Sequence, residues 1–262
     1  MNNPIVIVAH PARKVHAEWL ALNVGAEAIV WDSESRGAAH NHTAAWRWLA
    51  DSGAPFGTIL EDDVLPGPRF KKHLQDAMKH SPTPFLSLYL GRGRPPHWQQ
   101  AICRVIANQV SFYGAPLLLS AQGYTLPREV LKGWSQVLTY TGMGLTIEQA
   151  ISAWVNRRYN GQSTWSYPRY SLIDHLDGPT LIPDHGDGQS RNGKTATWMP
   201  GCGEEGKDLK EVRKAWLMAG VNVDWMLGSV GIKLREGDVD YDLHKDPSGI
   251  GLFRPPKLQS AL

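Results

Sequence analysis

Ile59-Leu60-Glu61-Asp62-Asp63-Val64 is the stretch that decides how this chain is read. Thr58-Ile59-Leu60 has the character of a buried strand, and three consecutive carboxylates stop it abruptly. Like charges packed this closely repel and raise each other's pKa unless something positive sits among them. A divalent cation is the natural neutraliser, because hard cations take carboxylate oxygens. In an α/β sheet the carboxyl end of a strand is where ligands bind. A solvated acidic turn is the plain alternative.

Strand and helix signals alternate on both sides of this stretch. Ile5-Val6-Ile7-Val8 is a continuous β-branched run, as expected for a strand covered on both faces. Lys14 to Leu22 has helical character, Ala28-Ile29-Val30-Trp31 reads as a second strand, and Ala38 to Leu49 as a second helix. After the acidic strand, Pro68 to Lys79 is predicted helical, with Pro near its start where the missing N–H costs nothing. Strand and helix alternating three times imply right-handed crossovers onto a mostly parallel sheet flanked by helices.

Further along, Phe85 to Tyr89 is a predicted strand and Gly91 to His97 a loop. Pro116-Leu117-Leu118-Leu119 is another apolar run. Pro127 to Val137 and Ile147 to Arg158 look helical, and Ser171 to His175 is a short strand. Residues 160–206 are rich in Gly, Pro and Asp and read as loops. Asp208 to Ala219 is an amphipathic helix with Leu209, Val212, Trp216 and Ala219 on one face. The expected organisation is one domain over 1–200 and a small C-terminal appendage over 201–262.

Composition bounds the classes. The 262 residues are 42% hydrophobic and 20% charged with net charge +2, which excludes a disordered chain. No stretch approaches the ~18 apolar residues of a membrane span. The first residues lack the basic and apolar regions of a secretory signal. Two cysteines, Cys103 and Cys202, make no disulfide scaffold and fit a reducing cytoplasm, the expected location. The 11 Trp exceed the 8 Tyr and 5 Phe, and suit either core filling or stacking on sugars or bases.

Other motifs compete for a role. Gly188-Gln189-Ser190-Arg191-Asn192-Gly193-Lys194-Thr195 fits the P-loop letters. No apolar strand runs directly into it and Met199-Pro200-Gly201 bars a following helix, so the match is read as chance. His40-Asn41-His42 invites a nuclease reading, but these residues open an Ala-rich helix. Asp174-His175 and Asp184-His185 are two acid–imidazole pairs, and either His175 or His185 is a candidate ligand for a manganese-type ion. Glu148 opens a helix, where the dipole favours an acid, and a carboxylate fixed there beside a cleft is also a candidate general base.

The order of these pieces resembles the GT-A fold of glycosyltransferases, a Rossmann-like type. More narrowly it resembles glycosyltransferase family 25 and its bacteriophage relatives. Gly37, His42, Trp46 and the Ile59 to Asp63 strand end follow that group's order. Val8-Ala9-His10-Pro11, Ser87-Leu88-Tyr89-Leu90-Gly91-Arg92 and the run Pro168 to Gly178 are similar to the phage relatives. The resemblance covers about residues 4 to 190.

The resemblance implies a metal-dependent transferase with a nucleotide-sugar donor, a UDP-sugar in the first instance. Glu61, Asp62 and Asp63 take the place of the metal-binding DXD element. Glu61 and Asp63 would hold Mn²⁺ or Mg²⁺, Asp63 directly, with His175 or His185 as a further ligand. Ala9, His10, Pro11, Arg13 and Asp62 would hold the donor. Glu148 falls where the family places an acid facing the acceptor, usually Asp. The acceptor it implies is a hydroxymethylated pyrimidine in phage DNA, a virion protein or a glycan being the alternative. Arg92, Arg94, Arg157 and Arg158 are the expected phosphate contacts, with Lys207, Lys210, Arg213 and Lys214 in the appendage. A base flipped toward the cleft would stack on Trp98 or Trp165. A P-loop hydrolase and a catalytically silent DNA-binding module are rivals from other classes.

Overall fold

The computed structural model describes residues 2–67, 69–89, 112–168, 171–175, 222–224 and 231–233. Strand β1 (Ile5–Ala9) is buried along its whole length. It pairs in parallel with β2 (Ala28–Trp31) and with β3 (Phe56–Glu61), so the three strands end at the same edge. Strand β4 (Val64–Pro66) leaves that edge directly after the carboxylates. The sheet continues through β5 (Phe85–Ser87), β6 (Phe112–Ala115), β7 (Gly123–Pro127) and β8 (Trp165–Pro168).

The seven strands lie in the order β2-β1-β3-β7-β5-β8-β6. Strands β1, β2, β3, β5 and β8 point one way; β7 and β6 run against their neighbours. The expected mixed α/β architecture with a mostly parallel sheet is therefore the one observed. Strand β9 (Ile173–His175) pairs with β4 as a separate antiparallel ribbon. Asn222–Asp224 (β10) and Gly231–Lys233 (β11) form another antiparallel pair. The boundary expected near residue 201 and the helix expected over Asp208 to Ala219 lie outside the described residues.

Helices cover both faces. Alternation along β1 sends Val6 and Val8 to one core and Ile5, Ile7 and Ala9 to the other. The first core is closed by α2 (Ala38–Asp51), α4 (Arg128–Leu131), α5 (Trp134–Gly142) and α6 (Ile147–Arg158). The second is closed by α1 (Lys14–Val24) and α3 (Phe70–His80). Ala17, Leu20 and Val24 form the buried stripe of α1, and Gly25 ends it at φ 55°, its N–H meeting the carbonyls of Ala21 and Leu22. No described helix is long and apolar enough to cross a membrane.

Several expectations are corrected here. Strand β7, at the centre of the sheet, was not expected; neither was β8, which falls in the stretch read as loops. The apolar run Pro116 to Leu119 is not a strand, the strand being the residues just before it. The helix expected over Pro127 to Val137 is broken between Leu131 and Trp134. Gly133 lies in the break, and Trp154 packs so close to it that a Cβ there would overlap the ring. Helix α3 begins only after Arg69, which takes a left-handed conformation at φ 55°.

Candidate functional site at the carboxyl edge of β1 and β3

The parallel register Val8↔Glu61 sets Ala9-His10 beside Asp62-Asp63 where the two strands end. The backbone N–H of His10 donates to Asp62 Oδ2 at 2.7 Å. A turn of 3₁₀ helix over Pro11–Arg13 then returns the chain over the carboxylates, the His10 side chain accepting from the Ala12 N–H. Arg13 Nη1 lies 2.8 Å from Asp62 Oδ1 and 2.9 Å from Asp63 Oδ2. Burial opposes the charge on Arg13, yet its hydrogen bond to Asp62 and the attraction of both aspartates outweigh that and raise its pKa. The positive charge demanded by the acidic strand end is thus supplied in part by the chain itself.

His175 completes this cluster. The β4–β9 ribbon pairs Val64 with His175, one residue beyond Asp63, and brings His175 Nε2 to 3.4 Å from Asp63 Oδ2. Both side chains are largely buried, at 8% and 14% exposure. Among the described residues, no group of three or more His, Cys, Asp or Glu side chains is gathered closely enough to hold a metal by itself.

Glu61 belongs to a different environment. Its Oε1 lies 3.2 Å from His42 Nε2, on the face covered by α2. His42 Nδ1 lies 2.9 Å from the Tyr124 hydroxyl, and Trp46 Nε1 donates to that hydroxyl at 2.8 Å. Burial holds the Tyr124 phenol well above the ordinary tyrosine pKa; the Trp46 hydrogen bond opposes this and the charge of Glu61 adds to it. Tyr124 therefore keeps its proton. With Trp46 donating to it, its own O–H is available to His42 Nδ1, and in the tautomer that accepts it His42 Nε2–H donates to Glu61. The donors run one way and end on the carboxylate.

The remaining expected donor residues line the same edge. The Ala9 carbonyl accepts from Asn41 Nδ2 at 3.2 Å and from the Asp32 N–H at 2.8 Å. Pro11 and Ala12 are exposed. A cleft of about 700 Å³ opens between the end of β2 and helices α2 and α5, lined by Trp31, Asp32, Asn41, Trp48 and Trp134. Asp32 shapes its rim by accepting the N–H groups of Arg36 and Gly37.

Helix α6 carries the expected acid and two expected basic residues at opposite ends. A capping box, Thr146 with Gln149, starts it, and Glu148 is in its first turn. Just past its other end, Tyr159 packs edge-on against Phe85, the first residue of β5, at 4.9 Å. The Glu148 end therefore points toward the edge where β3 ends its run, and Arg157 and Arg158 lie ~15 Å away along the helix. No hydrogen bond or ion pair joins Glu148 to Glu61, Asp62 or Asp63 among the described residues. Trp165 is corrected: it is a fully buried core residue of β8, not a loop residue available for stacking. His185, Arg92, Arg94, Trp98, the 188–195 loop and the basic residues of 207–214 lie outside the described residues.

Gln122 and Tyr124 lie beside Glu61 and are not singled out by the sequence; Asn41 enters only through the His40-Asn41-His42 triplet, whereas His42 is also among the residues that carry the family resemblance. One signal for His42 is present. His42, Ala45, Trp46 and Leu49 recur at helical spacing, which puts the imidazole on the buried face of α2. Nothing comparable marks Gln122, whose place depends on the unexpected strand β7.

No protein-family model matches the chain, and no curated protein matches it. Among solved structures, the chain is similar to mannose-1-phosphate geranyltransferase from Thermus thermophilus, at 9% identity and a TM-score of 0.33, over 64% of this chain and 74% of that one. It is also similar to CMP:2-keto-3-deoxy-manno-octonic acid synthetase complexed with CTP, at 13% identity and a TM-score of 0.33, over 64% of this chain and 89% of that one.

Proposed function

We propose that this protein is a metal-dependent glycosyltransferase that takes its sugar from a nucleotide diphosphate sugar. The observation that carries the reading is the convergence of Asp62, Asp63, Arg13 and His175 where β3 leaves the sheet. Asp63 Oδ2 and His175 Nε2, 3.4 Å apart, suit two neighbouring ligands of one ion. Ions of this kind are commonly held by one or two protein groups plus substrate phosphates, so a small protein donor set is enough. Asp63 and His175 would hold Mn²⁺ or Mg²⁺, with His185 as a further candidate; Glu61, turned toward His42, stands apart from that pair. Such an ion supplies charge neutralisation to a diphosphate leaving group.

The chain's own residues would do the rest. Arg13 fixes the two aspartates and so decides which oxygens face the ligand. The loop Ala9 to Arg13 and the adjoining cleft receive the nucleotide. Glu148, at the α6 end nearer the carboxyl edge, is the candidate to accept the proton of the attacking hydroxyl. The acceptor we favour is a hydroxymethylated pyrimidine in DNA. Its support is the family resemblance and the exposed Arg157-Arg158 pair. The ~15 Å between that pair and the Glu148 turn corresponds to about four nucleotides of one strand.

The test is incubation with a panel of nucleotide sugars and hydroxymethylated DNA, read by mass spectrometry of the released nucleosides. The expected result is a hexose or pentose added to the modified base. The product should be lost in Asp63→Ala and in chelator, and restored by Mn²⁺ or Mg²⁺. Full transfer in excess chelator would overturn the metal role. Transfer to protein with none to DNA would overturn the acceptor.

A further inference from the structure

The three carboxylates at the end of β3 do not share one environment. Asp62 and Asp63 are tied to Arg13, whereas Glu61 is turned to the α2 face and held by His42. Two amide side chains border Glu61 on that side. Asn41 precedes His42 on α2, and its Nδ2 is committed to the Ala9 carbonyl. That bond engages the amide nitrogen and leaves Oδ1 as the atom still to be satisfied. Gln122 sits opposite Glu61, whose N–H donates to the Gln122 carbonyl at 2.9 Å. Asn41 is 9% exposed and Gln122 is 7% exposed. The side-chain oxygens of both are buried and have no hydrogen-bond partner among the described residues.

Buried amide oxygens are almost always satisfied, because leaving one unpaired costs stability. Two such oxygens beside one held carboxylate form a row of acceptors. The Asn41 amide reaches from α2 to the end of β1, and Gln122 immediately precedes β7, with β3 between. The row therefore spans about two strand spacings, ~10 Å, before the side chains reach inward. What complements a row of acceptors is a small ligand rich in hydroxyl donors.

The geometry points to a hydroxyl-reading subsite, in which Asn41 Oδ1, Gln122 Oε1 and Glu61 accept hydrogen bonds from the hydroxyl groups of a sugar ring. The inference rests on the glycosyltransferase reading for its substrate class and extends it. Asp63 and His175 serve the diphosphate, while this neighbouring set distinguishes the sugar. The Trp46–Tyr124–His42 chain gives Glu61 a fixed direction, so it presents its other oxygen to the ring at small entropic cost.

The experiment uses the full chain and two kinds of probe. The first is UDP against UDP-glucose and UDP-galactose, titrated calorimetrically. The second is methyl glucoside and methyl galactoside, followed through the side-chain amide signals of Asn41 and Gln122 by NMR. Wild type is expected to bind at least one nucleotide sugar more tightly than UDP, and a methyl glycoside is expected to shift both amides. In Gln122→Met the gain over UDP should fall roughly 10-fold, the loss of one hydrogen bond to a ligand, while UDP itself binds as before. The melting temperature of Gln122→Met should hold or rise, because a buried unpaired acceptor has been removed. Asn41→Leu is the second variant; if it fails to fold, Gln122→Met decides alone. Amides that do not move, an unchanged sugar preference in Gln122→Met, or a lowered melting temperature there would each overturn the subsite. Glycoside binding without UDP binding would uphold the subsite and overturn the nucleotide-donor reading. UDP binding with no contribution from the sugar would do the reverse.

Discussion

Arg13 reaches Asp63 across 50 positions of sequence, Nη1 to Oδ2 at 2.9 Å, and the same nitrogen holds Asp62. Two adjacent carboxylates would otherwise face each other with little solvent. Side-chain exposures of 21% for Arg13, 7% for Asp62 and 14% for Asp63 make this a partly buried network rather than a surface pair. Arg13→Ala is expected to cost about 2–4 kcal/mol, because it leaves two charges with a lost partner. Millimolar Mn²⁺ should then raise the melting temperature of Arg13→Ala by more than that of the wild type, the ion replacing the missing positive charge. An equal shift in both proteins would show that the aspartates do not take the ion.

Gly123 links the sheet to the ribbon that carries His175. A Cβ at this position would lie 2.5 Å from Ile173 Cδ1 and 3.0 Å from Leu60 Cδ2. Gly123→Ala should therefore destabilise the fold by roughly 1–3 kcal/mol through overpacking. The Ile173 side chain must move, and His175 is two residues away on the same short strand. Mn²⁺ affinity should fall together with stability, which calorimetry and thermal melts on one sample will show. A stability loss with undiminished Mn²⁺ affinity would separate the two.

Tyr124 gives the fold an alkaline limit. Burial raises its pKa in the folded state, so above the ordinary tyrosine value of about 10 the folded chain holds a proton that the unfolded chain has released. The stabilisation is fully present below that pH and is lost progressively as pH rises toward the folded value. Denaturant melts from about pH 9 to 11 should show falling stability, with a shallower fall in Tyr124→Phe. Parallel slopes for the two proteins would remove Tyr124 from this account.

Glu148 tests the catalytic reading apart from the fold. Its place in the first turn of α6 suits the helix dipole, and Glu148→Gln should change stability by no more than ~1 kcal/mol. If Glu148 takes the proton of the acceptor hydroxyl, the same change should reduce turnover by ~10²-fold with donor affinity retained. Normal turnover in Glu148→Gln would make the acid a helix-start residue and nothing more.

The parts of this molecule legible in its sequence are those in which a local signal and the fold agree. The run Ile5 to Ala9 is apolar throughout because both faces are covered, and the helix over Ile147–Arg158 matches its expected bounds because Thr146 and Gln149 cap it. Strand β7 is hidden for the opposite reason. Gly123-Tyr124-Thr125-Leu126-Pro127 begins with glycine, ends with proline and buries Thr125 against Thr58 through a 2.7 Å hydroxyl pair. Each is a poor local signal for a central strand, and tertiary pairing overrides all of them. The acidic strand end is legible as a charge problem, but its partner is not. Arg13 lies far away in sequence, and only the parallel register of β1 and β3 brings it near. Glu61 and Asp63 look equivalent as letters, and only the turn after β3 sends one toward α2 and the other toward β9.

The ribbon of β4 and β9 has a further consequence for the spacing of the cluster. Val64 follows Asp63 directly and is the partner of His175, so the strand that bears the imidazole is paired with the direct continuation of the segment that bears the carboxylate. The separation of Asp63 and His175 is thereby fixed by a count of residues rather than by the docking of distant bodies. A slip of one residue in this three-residue pairing would turn the imidazole to the opposite side of the ribbon. An insertion or deletion between Asp63 and Val64 would uncouple the pair while leaving every residue of the sheet in place.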